Sequence, residues 1–128
     1  MNQFIKKYSE IRANDIAKVG GKNASLGEMY TQLAAKGINI PNGFATTAEA
    51  FNLFLKENKL KESLENTLGK LDRTNYSNLN QVGKEARELI HNGTFSEKFS
   101  KAIIDDYKNL CDNDYFEVAV RSSATAED

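Results

Sequence analysis

The apolar residues of this chain recur as helical stripes, separated by short runs with strand character. Leu26, Met29, Tyr30, Leu33 and Ala34 share one helical face, so the spacing predicts a helix over about 24–36 with that stripe turned inward. Ser25 with Glu28 three residues on forms a capping-box pattern, Asn23 is an equal alternative cap, and Gly37 ahead of Pro41 marks the stop. After the turn-forming Pro41-Asn42-Gly43, the run Gly43-Phe44-Ala45-Thr46 reads as a strand entering the core.

Thr46 and Glu49 repeat the capping box, and Phe51, Phe54 and Leu55 carry a second helical face to about Asn58. Leu60, Leu64 and Leu68 mark a shallow surface helix within 59–70, and the polar stretch from Asp72 to Asn80 reads as a loop. Leu79, Val82, Ala86, Leu89 and Ile90 predict a further helix ending at His91-Asn92-Gly93. Ser96 then caps a last one, with Phe99, Ala102, Ile103, Tyr107 and Leu110 on its face. Asp112-Asn113-Asp114 breaks that pattern, and Phe116, Val118 and Val120 alternate with Glu117, Ala119 and Arg121 as a buried strand would. Phe4 to Lys6 is a short third strand candidate. The order predicts an α+β fold, helix-rich with a small mixed sheet.

Composition sets the class of protein. A chain of 128 residues with 40% hydrophobic and 27% charged side chains and a single proline has room for one domain with a real core, which excludes collagen-like and low-complexity chains. Seventeen Lys and Arg against eighteen Asp and Glu leave a net charge of -1, so no nucleic-acid partner is expected. The N-terminus lacks a sustained apolar stretch, which predicts a cytoplasmic protein without a membrane span. Cys111 is alone, which fits a reducing compartment, and reads as a small apolar residue late in a helix. His91, at a helix end, reads as structural, and the Asp105-Asp106 and Asp112/Asp114 pairs lack the spacing of a calcium loop.

Two stretches carry candidate chemistry. In Val19-Gly20-Gly21-Lys22-Asn23, a glycine pair and a lysine stand just before a helix. Backbone N–H groups, the positive end of the helix dipole, and Gly20 and Gly21 permitting close approach make an anion site, to which Lys22 adds a mobile charge. It is not a Walker loop, because Ile16 replaces the first glycine and Asn23 the Ser or Thr. A turn followed by a solvated lysine fits the same residues. In Val118-Ala119-Val120-Arg121-Ser122-Ser123, an apolar run delivers Arg121, a planar fork of donors suited to phosphate, together with hydroxyls from Ser122 and Ser123. Here the competing reading is a solvated loop with Arg121 paired to a surface carboxylate.

Together, Val-Gly-Gly-Lys-Asn-Ala-Ser-Leu-Gly-Glu-Met at 19–29, Pro-Asn-Gly-Phe-Ala-Thr-Thr at 41–47 and Val-Arg-Ser-Ser-Ala-Thr-Ala-Glu-Asp at 120–128 resemble the start of the pyruvate phosphate dikinase family of phosphoenolpyruvate-utilising enzymes, and within it the phosphoenolpyruvate synthase branch. The resemblance spans nearly the whole chain, with 56–115 the least specific part. It implies the first, helix-rich lobe of an ATP-grasp-like nucleotide-binding domain, with 1–128 as its N-terminal part. Lys22 and Arg121 would contact ATP phosphates, Gly20 and Gly21 would let the loop approach, and Ser122 and Ser123 are lesser polar contacts. In the family's water-dikinase members ATP phosphorylates a histidine on a separate swivelling domain, and the phosphohistidine converts pyruvate to phosphoenolpyruvate. The second lobe with its magnesium-binding acidic residues, the phosphohistidine domain and the pyruvate barrel are expected outside these residues, so the chain alone is expected to be inactive. Alternatives are the same ATP-binding portion of a related phosphotransferase, such as pyruvate phosphate dikinase or rifampicin phosphotransferase, and a free-standing non-catalytic binding domain.

Overall fold

A computed structural model of the chain describes residues 3–112 and 116–126. Its elements are strand β1 (Ile5–Lys7) and a 3-10 turn (Tyr8–Glu10), then helices α1 (Ile16–Val19) and α2 (Gly21–Ala34) and strand β2 (Phe44–Thr46). Helices α3 (Ala48–Glu57), α4 (Lys61–Gly69), α5 (Leu79–His91) and α6 (Glu97–Asn109) follow. The α+β expectation holds, but the sheet is not mixed: β1 and β2 form one antiparallel pair, with Ile5 opposite Thr46 and Lys7 opposite Phe44. The short N-terminal candidate is thus a true strand.

The chain divides into two compact units, residues 1–51 with 97–128 and residues 52–96. In the first, Ile11, Val19, Ala24 and Ala45 form a buried cluster with the Tyr8 ring packed against it. Alternation along β2 turns Ala45 and Thr47 inward and Thr46 outward. The cap of α3 therefore falls on Thr47 and not on the expected Thr46. Its hydroxyl oxygen accepts from the Ala50 amide (3.1 Å) and its proton goes to the Gln3 carbonyl (2.6 Å), tying the helix start to the strand.

The expected stripe on α2 is corrected. Its buried residues are Ala24 and Gly27, whereas Met29 and Ala34 are exposed and Leu26 and Leu33 half-buried. Small residues face inward because the fully buried Ile11 lies directly against Gly27. The capping box is corrected too, since α2 begins at Gly21 and both Asn23 and Ser25 lie inside it. Glu28 instead accepts from the Ala13 amide (2.9 Å), and Asn23 donates to the Val19 carbonyl (2.8 Å). Gly37 does end the helix: at φ +80° it donates to the Ala34 carbonyl while the Ile38 amide reaches Leu33.

Asp15 anchors the turn into α1. Its carboxylate accepts from the Arg12 amide (2.9 Å) and pairs with Lys6 (3.6 Å) and Lys18 (3.4 Å) in an 8% exposed position. The Arg12 amide, more than the lysines, holds this carboxyl below its ordinary range. A depressed pKa gives stability that is full above the ordinary carboxylate range and is lost as pH falls below that range through the lowered folded-state pKa. Asp15→Asn is expected to cost about 1 kcal/mol at neutral pH, the Lys18 pair being solvated and adding little. Urea unfolding of both proteins at neutral and acidic pH checks this. The gap should narrow progressively as pH falls below about 4, and a gap independent of pH would refute it.

In the second unit α4 packs on α5, and Phe54, Leu60, Thr67 and Val82 are buried. Leu68 is exposed, as befits a shallow helix. The polar stretch before α5 is an ordered loop: Asn78 accepts from the Asp72 amide and donates to the Lys70 carbonyl, both at 2.8 Å.

The predicted strand at 116–120 is not one. Among the described residues no strand pairs with it, and Val118 and Val120 are exposed. It runs without regular secondary structure, and its Phe116 ring stacks on Tyr107 of α6 at 4.7 Å. Cys111 is half-buried just beyond α6, not within it. Asn113, Asp114, Glu127 and Asp128, used in the sequence reading, lie outside the described residues. Among the described residues no helix is long and apolar enough to cross a membrane.

Candidate functional site

The site is built where α1 stops and α2 starts. Gly20, at φ +85° and ψ 161°, adopts a conformation essentially reserved for glycine and turns the chain between the two helices. This aims the positive end of the 14-residue α2 outward and places Lys22 in its first turn. The segment after α6 returns beside it. Between them lies a groove of about 970 Å³, lined by Ile16, Gly21, Lys22, Ser25, Leu26 and Met29 on one side and by Val120, Arg121 and Ser122 on the other.

Of the residues singled out from sequence, Gly21, Lys22, Arg121 and Ser122 line this groove. Two cations 99 positions apart in sequence thus face one space, with no carboxylate among the described lining residues, an arrangement that favours an anion with several charged oxygens. Arg121 also acts on the Tyr8 hydroxyl: burial raises its pKa, and the guanidinium charge pulls in the opposite direction.

Gly20 and Ser123 stand apart from the groove lining and meet each other. Ser123 Oγ donates to the Val19 carbonyl at 3.0 Å. A Cβ at Gly20 would collide with that Oγ and lie 2.9 Å from the Ala124 carbonyl oxygen. The notch left by Gly20 is therefore filled by protein.

Sequence reasoning missed the apolar wall of the groove, formed by Ile16, Leu26, Met29 and Val120. Leu26 and Met29 read as core because they are large. The signal that would have placed them is the small pair Ala24 and Gly27, three apart, which marks the packed face of α2 and leaves positions 22, 25, 26 and 29 away from it.

Among the described residues no three His, Cys, Asp or Glu side chains gather into a metal site. The polar side chains among the described lining residues are hydroxyls and cations, which do not fit a magnesium ion.

Residues 16–128 match the family model described as the AMP/ATP-binding domain of pyruvate phosphate dikinase. Among curated proteins, the chain is 43% identical over 130 residues to a phosphoenolpyruvate synthase of Neisseria meningitidis, covering 99% of this chain and 16% of that protein. It is 43% identical over 122 residues to the phosphoenolpyruvate synthase of Escherichia coli, covering 94% of this chain and 15% of that protein. A probable phosphoenolpyruvate synthase of Methanocaldococcus jannaschii is 39% identical over 129 residues. The chain thus spans about one sixth or less of the length of these relatives.

Proposed function

The chain belongs to the family of pyruvate phosphate dikinase AMP/ATP-binding domains, and from this we propose that its groove holds the polyphosphate of ATP, as the N-terminal part of the nucleotide-binding domain of a phosphoenolpyruvate synthase. The observation that carries the reading is the convergence of Lys22 and Arg121 on one groove beside the start of α2. Arg121 offers a planar fork to two phosphate oxygens, Lys22 a mobile point charge, and the α2 dipole a fixed one. Ser122 supplies a hydroxyl from the Arg121 side, and Gly21 lines the groove beside Lys22. Ile16, Leu26, Met29 and Val120 add apolar surface beside the two cations.

In the whole enzyme this lobe belongs to an ATP-grasp-like domain. ATP and water yield AMP, phosphate and a phosphohistidine on another domain, and the phosphoryl group then passes to pyruvate. Lys22 and Arg121 would offset the negative charge that develops on the transferred phosphoryl oxygens. Magnesium ligands would come from residues outside this chain, and the compartment is the cytoplasm. The names of the relatives favour pyruvate as acceptor over an antibiotic.

Isothermal titration of the chain with ATP, with and without Mg2+, tests the site. Lys22→Ala and Arg121→Ala are each expected to weaken binding at least tenfold, the worth of one hydrogen-bonded charge, and to reduce its salt dependence. Unchanged affinity in both variants, or a wild-type chain that takes up no ATP, would overturn the reading for this chain.

A further inference from the structure

Resting on the reading of Arg121 as a phosphate contact, we propose that Ser123 is the positioning residue that fixes Arg121 opposite Lys22. Arg121 lies in a segment that no strand ladder holds among the described residues. Phe116, five residues before it, is stacked on Tyr107, and Ser123, two residues after it, is bonded to Val19, 104 positions away in sequence. The Ser123 bond is the nearer anchor and the one that ties this segment to the end of α1, from which Gly20 leads into the helix bearing Lys22.

Its acceptor is rigid. Val19 is 4% exposed, belongs to the cluster with Ile11, Ala24 and Ala45, and its carbonyl also receives the Asn23 amide group at 2.8 Å. The complementary half is Gly20: buried, left-handed and without a side chain, it leaves the volume that Ser123 Oγ and the Ala124 carbonyl occupy. A hydroxyl on one motif and a missing methyl on the other therefore set the distance between the two cations. An arginine ordered in advance loses less rotamer freedom when it meets phosphate, so the seat adds affinity without touching the ligand.

The test uses the 128-residue chain in a Cys111→Ser background, with a nitroxide attached at Ala17→Cys in α1. Paramagnetic broadening of the Arg121 and Ser122 amide signals reports whether their segment stays on α1. ATP titrations are run in parallel on the wild type, Ser123→Ala, Ser123→Thr, Arg121→Ala and the Ser123→Ala/Arg121→Ala double variant. Broadening is expected to weaken in Ser123→Ala and return in Ser123→Thr, which keeps the hydroxyl. Affinity for ATP is expected to fall about tenfold in Ser123→Ala, the value of one ordering hydrogen bond, and Ser123→Ala should cost nothing further once Arg121 is Ala. A purely structural role would weaken both backgrounds equally and would overturn the proposal, as would unaltered broadening in Ser123→Ala. A wild type that takes up no ATP would overturn the phosphate-site reading instead, and the broadening then decides for or against Ser123 by itself.

Discussion

Gly27→Ala will destabilise the chain by about 2 kcal/mol, lowering its melting midpoint by about 5–10 °C, although the same substitution in a helix normally helps. Alanine gains up to about 1 kcal/mol over glycine in a helix interior. At position 27 that gain is overwhelmed. The new Cβ would run into Ile11 Cβ, sit 2.6 Å from its Cγ2 and lie 2.8 Å from its carbonyl oxygen. Ile11 is fully buried, and a backbone carbonyl cannot swing aside as a surface side chain can, so α2 itself must move. Gly69, in the last turn of α4, is the control, because a Cβ there meets nothing within 4 Å. Gly69→Ala should raise stability by about 0.4–1 kcal/mol. Thermal unfolding followed by circular dichroism compares the two; equal effects of the same sign would refute the packing argument.

Gly20→Ala should be the most damaging methyl in the chain, at about 3 kcal/mol or more. Two costs add there. The conformation at φ +85° and ψ 161° is strained by about 1–3 kcal/mol for any L side chain, and the Cβ displaces Ser123 and Ala124 from the notch. Gly37 separates the two costs, since its φ of +80° is similar while a Cβ there finds open space. Gly37→Ala should lose only the backbone term, about 1 kcal/mol. The excess loss in Gly20→Ala carries the crowding together with the strain set by its ψ, and the crowding should be accompanied by shifts in the amide signals of 121–124. Equal losses at the two glycines would mean that the notch is unimportant.

Much of the helical order was legible because periodicity and punctuation agreed. Leu79, Val82 and Ile90 with Gly93 bounded α5 closely, and Gly37 stops α2 as a left-handed glycine should. Lys22 and Arg121 were legible as a pair through motif resemblance, and the groove brings them together. What could not be read was direction and partnership. Capping boxes at Ser25 and Thr46 failed because the pattern says which residue types cap, whereas the pleat of β2 and the glycine break at 20 decide where the helix begins. The stripe on α2 points the wrong way because large apolar residues need not be core; the buried Ile11 leaves room only for Ala24 and Gly27. Alternation at 116–120 signals strand character but not whether a neighbour exists to pair with it.

The Val19 carbonyl receives both Asn23 and Ser123, and it belongs to the main chain. No side-chain substitution at position 19 can delete that acceptor. Position 19 therefore answers to selection through volume alone, as any buried aliphatic site does, while the polar specificity of the junction is written entirely at 23 and 123. A hub of this kind is robust to mutation at its centre and fragile at its rim, so drift among aliphatic residues at 19 carries no information about the junction, and loss of the hydroxyl at 123 carries a great deal.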